Sequence, residues 1–210
     1  MSEEYPTIYQ FRLTVAEISP LIWRRIWMRA DQTLADLHYT IQIVMDWTDC
    51  FLNQFLFRGQ HYCVYKIGGM VMNNAHQAPL HDLSLRPNEC IQYQYNMYVP
   101  RHVQVRYEET VPYQPKHVYP YCVSGKQSGP VEQYSGPDEY QAKRDHYSAD
   151  YFGMILLNAL IHYPDKTIKE VFGDEYDLFK FWIREHRFDR KRINETLKSY
   201  SVDGEWWITL

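Results

Sequence analysis

The densest concentration of chemistry in this 210-residue chain lies between Lys180 and Lys198. There Lys180, Arg184, Arg187, Arg190, Lys191, Arg192 and Lys198 stand against only Glu185, Asp189 and Glu195. This local excess of four positive charges, in a chain of net charge -4, leaves -8 for the remainder. Guanidinium forks match phosphates and carboxylates, so Arg184, Arg187, Arg190, Lys191 and Arg192 form a candidate patch for nucleic acid or an acidic partner. The plainer reading is two solvated helix faces opposite aromatic stripes such as Phe179 and Trp182. A second candidate pair, Arg24 and Arg25, directly follows Trp23. An arginine beside an aromatic ring can hold a phosphate or stack on a base. In a purely structural role the pair would meet carboxylates such as Asp36 or Asp46. His38 reads as a satisfied boundary histidine rather than a ligand.

The remaining residues exclude several classes. No phosphate loop, GxSxG or HExxH motif is present, so no catalytic residue and no cofactor is assigned; the leading expectation is a non-enzyme, and the alternative is a small-ligand or metal-binding enzyme or sensor using the groove beside 111–139. The overall acidic balance argues against a protein coated in phosphate-binding charge. Cys50, Cys63, Cys90 and Cys122 are scattered without a CxxC pair, as expected of reduced thiols in a cytoplasmic protein. The opening MSEEYPT lacks the apolar run of a signal peptide, and no apolar stretch is long enough to span a bilayer. A protein partner is expected and nucleic acid is a further candidate; a membrane is not.

Periodicity supplies the elements that must position these groups. Tyr9, Phe11, Leu13 and Val15 alternate with polar residues as in a half-buried strand. Ile22, Arg24 and Ile26 alternate with Trp23, Arg25 and Trp27 in a second strand, paired most simply as a hairpin with the first. Thr33 followed by Asp36 gives a capping-box pattern for a helix that buries Leu34, Leu37, Ile41 and Val44. Phe55 and Phe57 mark a further strand, and Arg58-Gly59-Gln60 a hairpin turn. After a loop-like stretch over 67–90, strand pattern returns at Ile91–Tyr95 and Val103–Tyr107. Residues 111–139, rich in Pro, Gly, Ser and Tyr, read as one long loop whose flank offers a groove for a small ligand or a metal. From Ser148 the pattern is helical. One stripe is Phe152, Leu156, Ala159, Leu160 and Tyr163. A second is Leu178, Phe179, Trp182 and Ile183 behind Asp174. A third is Ile193, Leu197 and Tyr200 behind Asp189. The end, EWWITL, reads as a short terminal strand or apolar plug. The expected fold is α+β: a β-grasp-like mixed sheet with a packed helix, plus a helical C-terminal part. A single domain over 1–210 is expected, divided into sheet and helix (1–110), loop region (111–147) and helical part (148–210).

Five stretches carry a family resemblance: YQFRLTVAEISPLIWRRIWM, TLADLHYTIQIVMDWTDCFLNQF, Tyr93–Glu108, YCVSGKQSGPVEQYSGPDEY and FDRKRINETL. In this order they resemble the plasmid pRiA4b ORF-3-like family, also called the IS1096 element passenger (TnpR-like) family. The resemblance implies an accessory or adaptor protein of a mobile element (plasmid, transposon or phage), acting through protein or nucleic-acid contacts. No serine-recombinase motif accompanies it. The family's Cys, His and acidic residues could form a metal site, and of these His102, Cys122 and Glu132 survive here. Gly129 stands where a second Cys would fall, Gln133 for an Asp and Tyr134 for a third Cys. The resemblance therefore implies His102, Cys122 and Glu132 as ligand- or partner-binding candidates, and no intact metal set.

Overall fold

Period-two alternation places Phe11, Leu13 and Val15 on the buried side of β1 (Ile8–Val15) in the computed structural model, which describes residues 5–65, 72–173, 175–185 and 187–203. β2 (Trp23–Arg29) returns antiparallel, with Phe11 opposite Ile26 and Leu13 opposite Arg24. Between the next strands lies α1 (Leu34–Met45), started by a complete capping box in which Thr33 and Asp36 satisfy each other's backbone N–H. Leu34, Leu37, Ile41 and Val44 are at most 1 % exposed and join the central apolar cluster with the sheet residues, as the helical spacing predicts.

β3 (Asn53–Phe57) and β4 (Gln60–Cys63) form a hairpin across Arg58-Gly59, both in the left-handed region that a two-residue turn of matching twist requires. A short β5 (Asn73–Asn74) and two 3-10 turns, Ala75–Gln77 and Leu80–Leu83, lead to β6 (Cys90–Tyr95) and the long β7 (Arg101–Val111). The eight strands are ordered β5-β4-β3-β6-β7-β1-β2-β8, where β8 is Tyr121–Lys126. The ladders are antiparallel except β4–β5. This is the expected mixed α+β architecture: sheet, packed helix and C-terminal helices. One side of the sheet meets α1. The other stays half-solvated, as antiparallel sheets allow. There Arg12 covers the Trp23 ring at 5.1 Å and Trp27 donates its indole N–H to Gln10 at 2.7 Å.

The stretch 111–147, expected as a loop, contains two elements. β8 pairs with β2 along Trp23–Trp27, and α2 (Pro137–His146) starts with Pro at its first turn, where the missing N–H costs nothing. α3 (Ala149–His162) is capped by the Ser148 hydroxyl, and α4 (Ile168–Phe172) by a Thr167–Glu170 box. α5 (Glu175–Glu185) and α6 (Arg190–Asp203) complete the helical part. Its apolar stripes are only partly covered. Phe152, Ala159, Trp182, Ile193 and Leu197 are buried, but Leu160 is 69 % exposed and Leu178 and Ile183 are also out. Asp174, EWWITL and part of 67–90 lie outside the described residues, as does the side chain of Phe179.

Candidate functional site

The residue pairing that builds the site begins inside the sheet. Across the buried face, Ile91, Val105, Leu13 and Arg24 stand in register, and the next partner on β8 is Gly125. Arg24 is 1 % exposed. Its guanidinium donates to three carbonyls: Val44 near the end of α1 (2.8 Å), Trp23 (2.9 Å) and Lys126 (3.0 Å). Burial pulls its pKa down to about 10, against partial compensation from Asp46. The expected pairing of Arg24 with Asp36 or Asp46 is therefore not what holds it; carbonyls surround it instead. Phe188, between α5 and α6, lies on the same guanidinium at 4.6 Å. A Cβ at Gly125 would come within 2.8 Å of both Arg24 Cδ and the Phe188 ring, so glycine is what lets the ring seat there. Gly129 is bound more tightly still, since its Cβ would fall 1.9 Å from the Met45 carbonyl oxygen.

Two further anchors fix the walls. Trp182 of α5 is fully buried and stacks on Tyr147 (5.4 Å) and Tyr134 (5.9 Å). Asn194 of α6 reads the backbone of Cys122 in both directions, accepting from its N–H at 2.8 Å and donating to its carbonyl at 2.9 Å. Tyr200 donates to Asp36, tying α6 back to the start of α1. Between α5, the 188–192 turn, Asp46 and Ser128 this leaves a cleft of about 840 Å³.

The cleft gathers Lys180, Arg184, Arg187 and Arg192 around Phe181 and Phe188, with Asp46, Asp177 and Asp189. Arg192 grips Asp46 with both terminal nitrogens (3.2 and 2.7 Å), and Lys180 meets Asp177 at 2.8 Å. Asp189 accepts from the backbone N–H of Lys191 and Arg192, the capping role expected of it. Among the described residues, the exposed side chains of Arg184 and Arg187 meet no carboxylate. The rest of the basic patch is turned elsewhere: Arg190 donates to the Val123 carbonyl at 3.0 Å, and Lys191 reaches Glu195 at 3.9 Å.

The other candidates do not converge on this cleft. Arg25 lies on the opposite side of the sheet and holds Glu108 through two bonds of 2.7 and 2.9 Å, which lower the Glu108 pKa. His102 is exposed on β7. Cys122 is buried on β8, and burial pushes its thiol up to about 12, so it is protonated at neutral pH. Glu132 is spent as a clamp, accepting from the Tyr95 hydroxyl (2.7 Å) and the Thr48 N–H (2.8 Å). β7 and β8 are separated by β1 and β2, and through Ile26 and Phe11 the register sets Cys122 level with Tyr107; three ladder steps across plus five residues along β7 put His102 and Cys122 well over about 14 Å apart, beyond any shared metal. No cluster of three or more metal-ligating side chains occurs among the described residues. Beside the former loop region, the space between Val15–Ile18, Pro100–His102 and Tyr140 is only about 10 Å³, room for about one water.

One group of residues was not visible as a group in the sequence. His38 is fully buried. Its Nε2 meets the Asp49 carboxylate at 2.8 Å and its Nδ1 the Tyr93 hydroxyl at 2.8 Å. Gln42 donates to the same hydroxyl and accepts from the Asp49 N–H. Tyr65 donates to the second Asp49 oxygen at 3.0 Å. With His38 neutral and protonated on Nε2, every donor in this set finds an acceptor. The i, i+4 pair His38 and Gln42 was the only sequence signal; the partners Asp49, Tyr65 and Tyr93 come from other elements.

The comparisons agree with this architecture. The solved structure of a protein of unknown function from Methanosarcina mazei Go1 is similar at 26 % identity and a TM-score of 0.62, covering 89 % of this chain and 97 % of that one. No curated protein matches. No helix among the described residues is long and apolar enough to cross a membrane. The match to the family of plasmid pRiA4b ORF-3-like proteins runs over residues 7–194, so it takes in β1 through the Asn194 clamp, and the chain belongs to that family.

Proposed function

We propose that this chain is a non-catalytic accessory protein, of the kind a mobile element carries, that works by contact through the cleft between α5 and α6. The observation that carries the reading is the state of its charges: Lys180 and Arg192 are paired, whereas Arg184 and Arg187 project beside Phe181 and Phe188 without a described carboxylate. Two guanidinium groups without a described carboxylate, beside two rings, suit a short single-stranded nucleic-acid segment, the phosphates meeting arginine and a base meeting a ring. The acidic remainder of the chain keeps the footprint short. A second reading is a small-ligand or metal-binding enzyme or sensor beside 111–139, a segment that lines spaces of about 10 Å³ at Pro130 and Val131 and about 480 Å³ at Gln127.

The test is a titration of labelled single- and double-stranded DNA and RNA at low salt with wild type, Arg184→Glu/Arg187→Glu, and Arg190→Glu/Lys191→Glu. Binding to single strands that is lost in the first variant and kept in the second supports the proposal. Equal binding by all three proteins, or by none, rejects it. Capture of an acidic peptide instead of nucleic acid would assign the same cleft to a protein partner.

A further inference from the structure

The loop after α1 carries a second concave surface, on which, among the described residues, Asp49 is the single charged side chain. It is lined by Asp49, Cys50, Phe51, Leu52, Tyr65, Asn96, Met97 and Tyr98, with a volume of about 360 Å³. No basic side chain lines it among the described residues. Three aromatic rings reach solvent at its rim: Tyr98 is 90 % exposed, Tyr65 46 % and Phe51 37 %.

The carboxylate is fixed before any ligand arrives. Asp49 occupies the left-handed region (φ 56°) and its N–H is bound by Gln42. One of its oxygens accepts from His38 Nε2 and the other from the Tyr65 hydroxyl. These two donors fix the orientation of the carboxylate. Each carboxylate oxygen retains a further acceptor site. Phe51 also packs edge-on against Tyr95 at 5.8 Å, and Tyr95 in turn holds Glu132. Arg101, bound to the carbonyls of Val131, Glu132 and Tyr134, keeps its charge near Glu132 and offsets that carboxylate, so the pocket's own anion is Asp49.

We infer that this pocket binds a small organic ammonium compound, with a methylated ammonium group between Asp49 and the rings of Phe51, Tyr65 and Tyr98. The chemistry selects that class over its neighbours. A hard metal ion needs several oxygen ligands, and the pocket offers one carboxylate. A neutral apolar ligand would leave the partly buried Asp49 charge uncompensated. An alkylated ammonium is weakly hydrated, is attracted by aromatic faces and neutralises the carboxylate. The volume is in the range of small-molecule sites.

The probe is choline, compared with its neutral carbon isostere 3,3-dimethylbutan-1-ol, in saturation-transfer NMR titrations of the full chain. Choline is expected to bind saturably and the isostere at least tenfold more weakly. Tyr98→Ala changes a side chain that is almost wholly in solvent, so folding is retained. It should weaken choline about two- to fivefold, the effect of one exposed cation–ring contact. Asp49→Asn, which still accepts from His38, should weaken it at least tenfold. Equal binding of choline and isostere, no saturation by choline up to millimolar concentrations, or an unchanged affinity in Tyr98→Ala would each overturn the assignment. The readout is independent of the α5–α6 cleft, so its failure leaves the nucleic-acid proposal untouched.

Discussion

Replacing Arg24 by Met keeps most of the aliphatic stem and removes the guanidinium. Three carbonyls, of Val44, Trp23 and Lys126, then lose their donor in a place 1 % exposed. A buried group left without its partner costs about 1–3 kcal/mol, and hydrogen bonds to charged groups are the stronger ones. Against this, the variant no longer buries a charge, whose cost is visible in the pKa drawn down to about 10. Phe188 also loses its cation contact, about 0.5–2 kcal/mol. Partial relaxation of the three carbonyls and the recovered desolvation offset each other only in part, giving a net loss of roughly 2–4 kcal/mol. For a chain of this size that is about 5–15 °C in melting temperature. The assay is thermal denaturation followed by circular dichroism, with Arg24→Lys as the intermediate case, because an ammonium cannot span the same three acceptors in one plane. The variant should also bind oligonucleotide more weakly although no cleft charge has changed, since Phe188 is no longer seated. An Arg24→Met protein melting within 1 °C of wild type would refute the claim that this arginine joins α1, the β2–β8 edge and the cleft.

Two further outcomes are expected. Ile41→Ala in α1, at a fully buried position, should cost about 2–5 kcal/mol in urea denaturation; an unchanged midpoint would mean that this helix face is not core. Arg25 and Gln10 hold Glu108 below the ordinary glutamate value of 4.5. Its folded pKa is depressed, so the stabilisation is complete above that value and is lost as pH falls through the folded pKa. Glu108→Gln should therefore be less stable than wild type at pH 7 and lose less on acidification below about pH 4.5; parallel acid unfolding curves would contradict the pairing.

What could be read from the sequence followed local regularity. The β1–β2 hairpin and α1 announce themselves through alternation, the Thr33–Asp36 box and the i, i+3, i+4 spacing of Leu34, Leu37 and Ile41. β8 does not, because YCVSGK buries a single apolar side chain, Cys122; the strand is held by its ladder to β2 and by Asn194. α2 is mostly polar, and it packs through the Tyr140 ring and a buried Arg144. In the helical part, spacing placed Leu160 and Ile183 with the core, but coverage depends on neighbours that the helix's own period cannot reveal. The same limit governs the charges. Composition alone marks the basic patch, yet only the fold commits Arg192 to Asp46, 146 residues away, and Arg190 to Val123, 67 residues away. Among the described residues Arg184 and Arg187 meet no carboxylate, at the end of α5 where the chain turns over Phe188.

The central claim concerns those two residues, and the salt dependence of binding to a short single strand reads it directly. Two phosphate contacts predict a slope of log affinity against log salt of about -1.4, a fall of roughly sevenfold between 50 and 200 mM. Arg184→Glu/Arg187→Glu should abolish both the binding and the slope. Salt-independent binding by wild type, or the same affinity and slope in the variant, would contradict the assignment of the cleft.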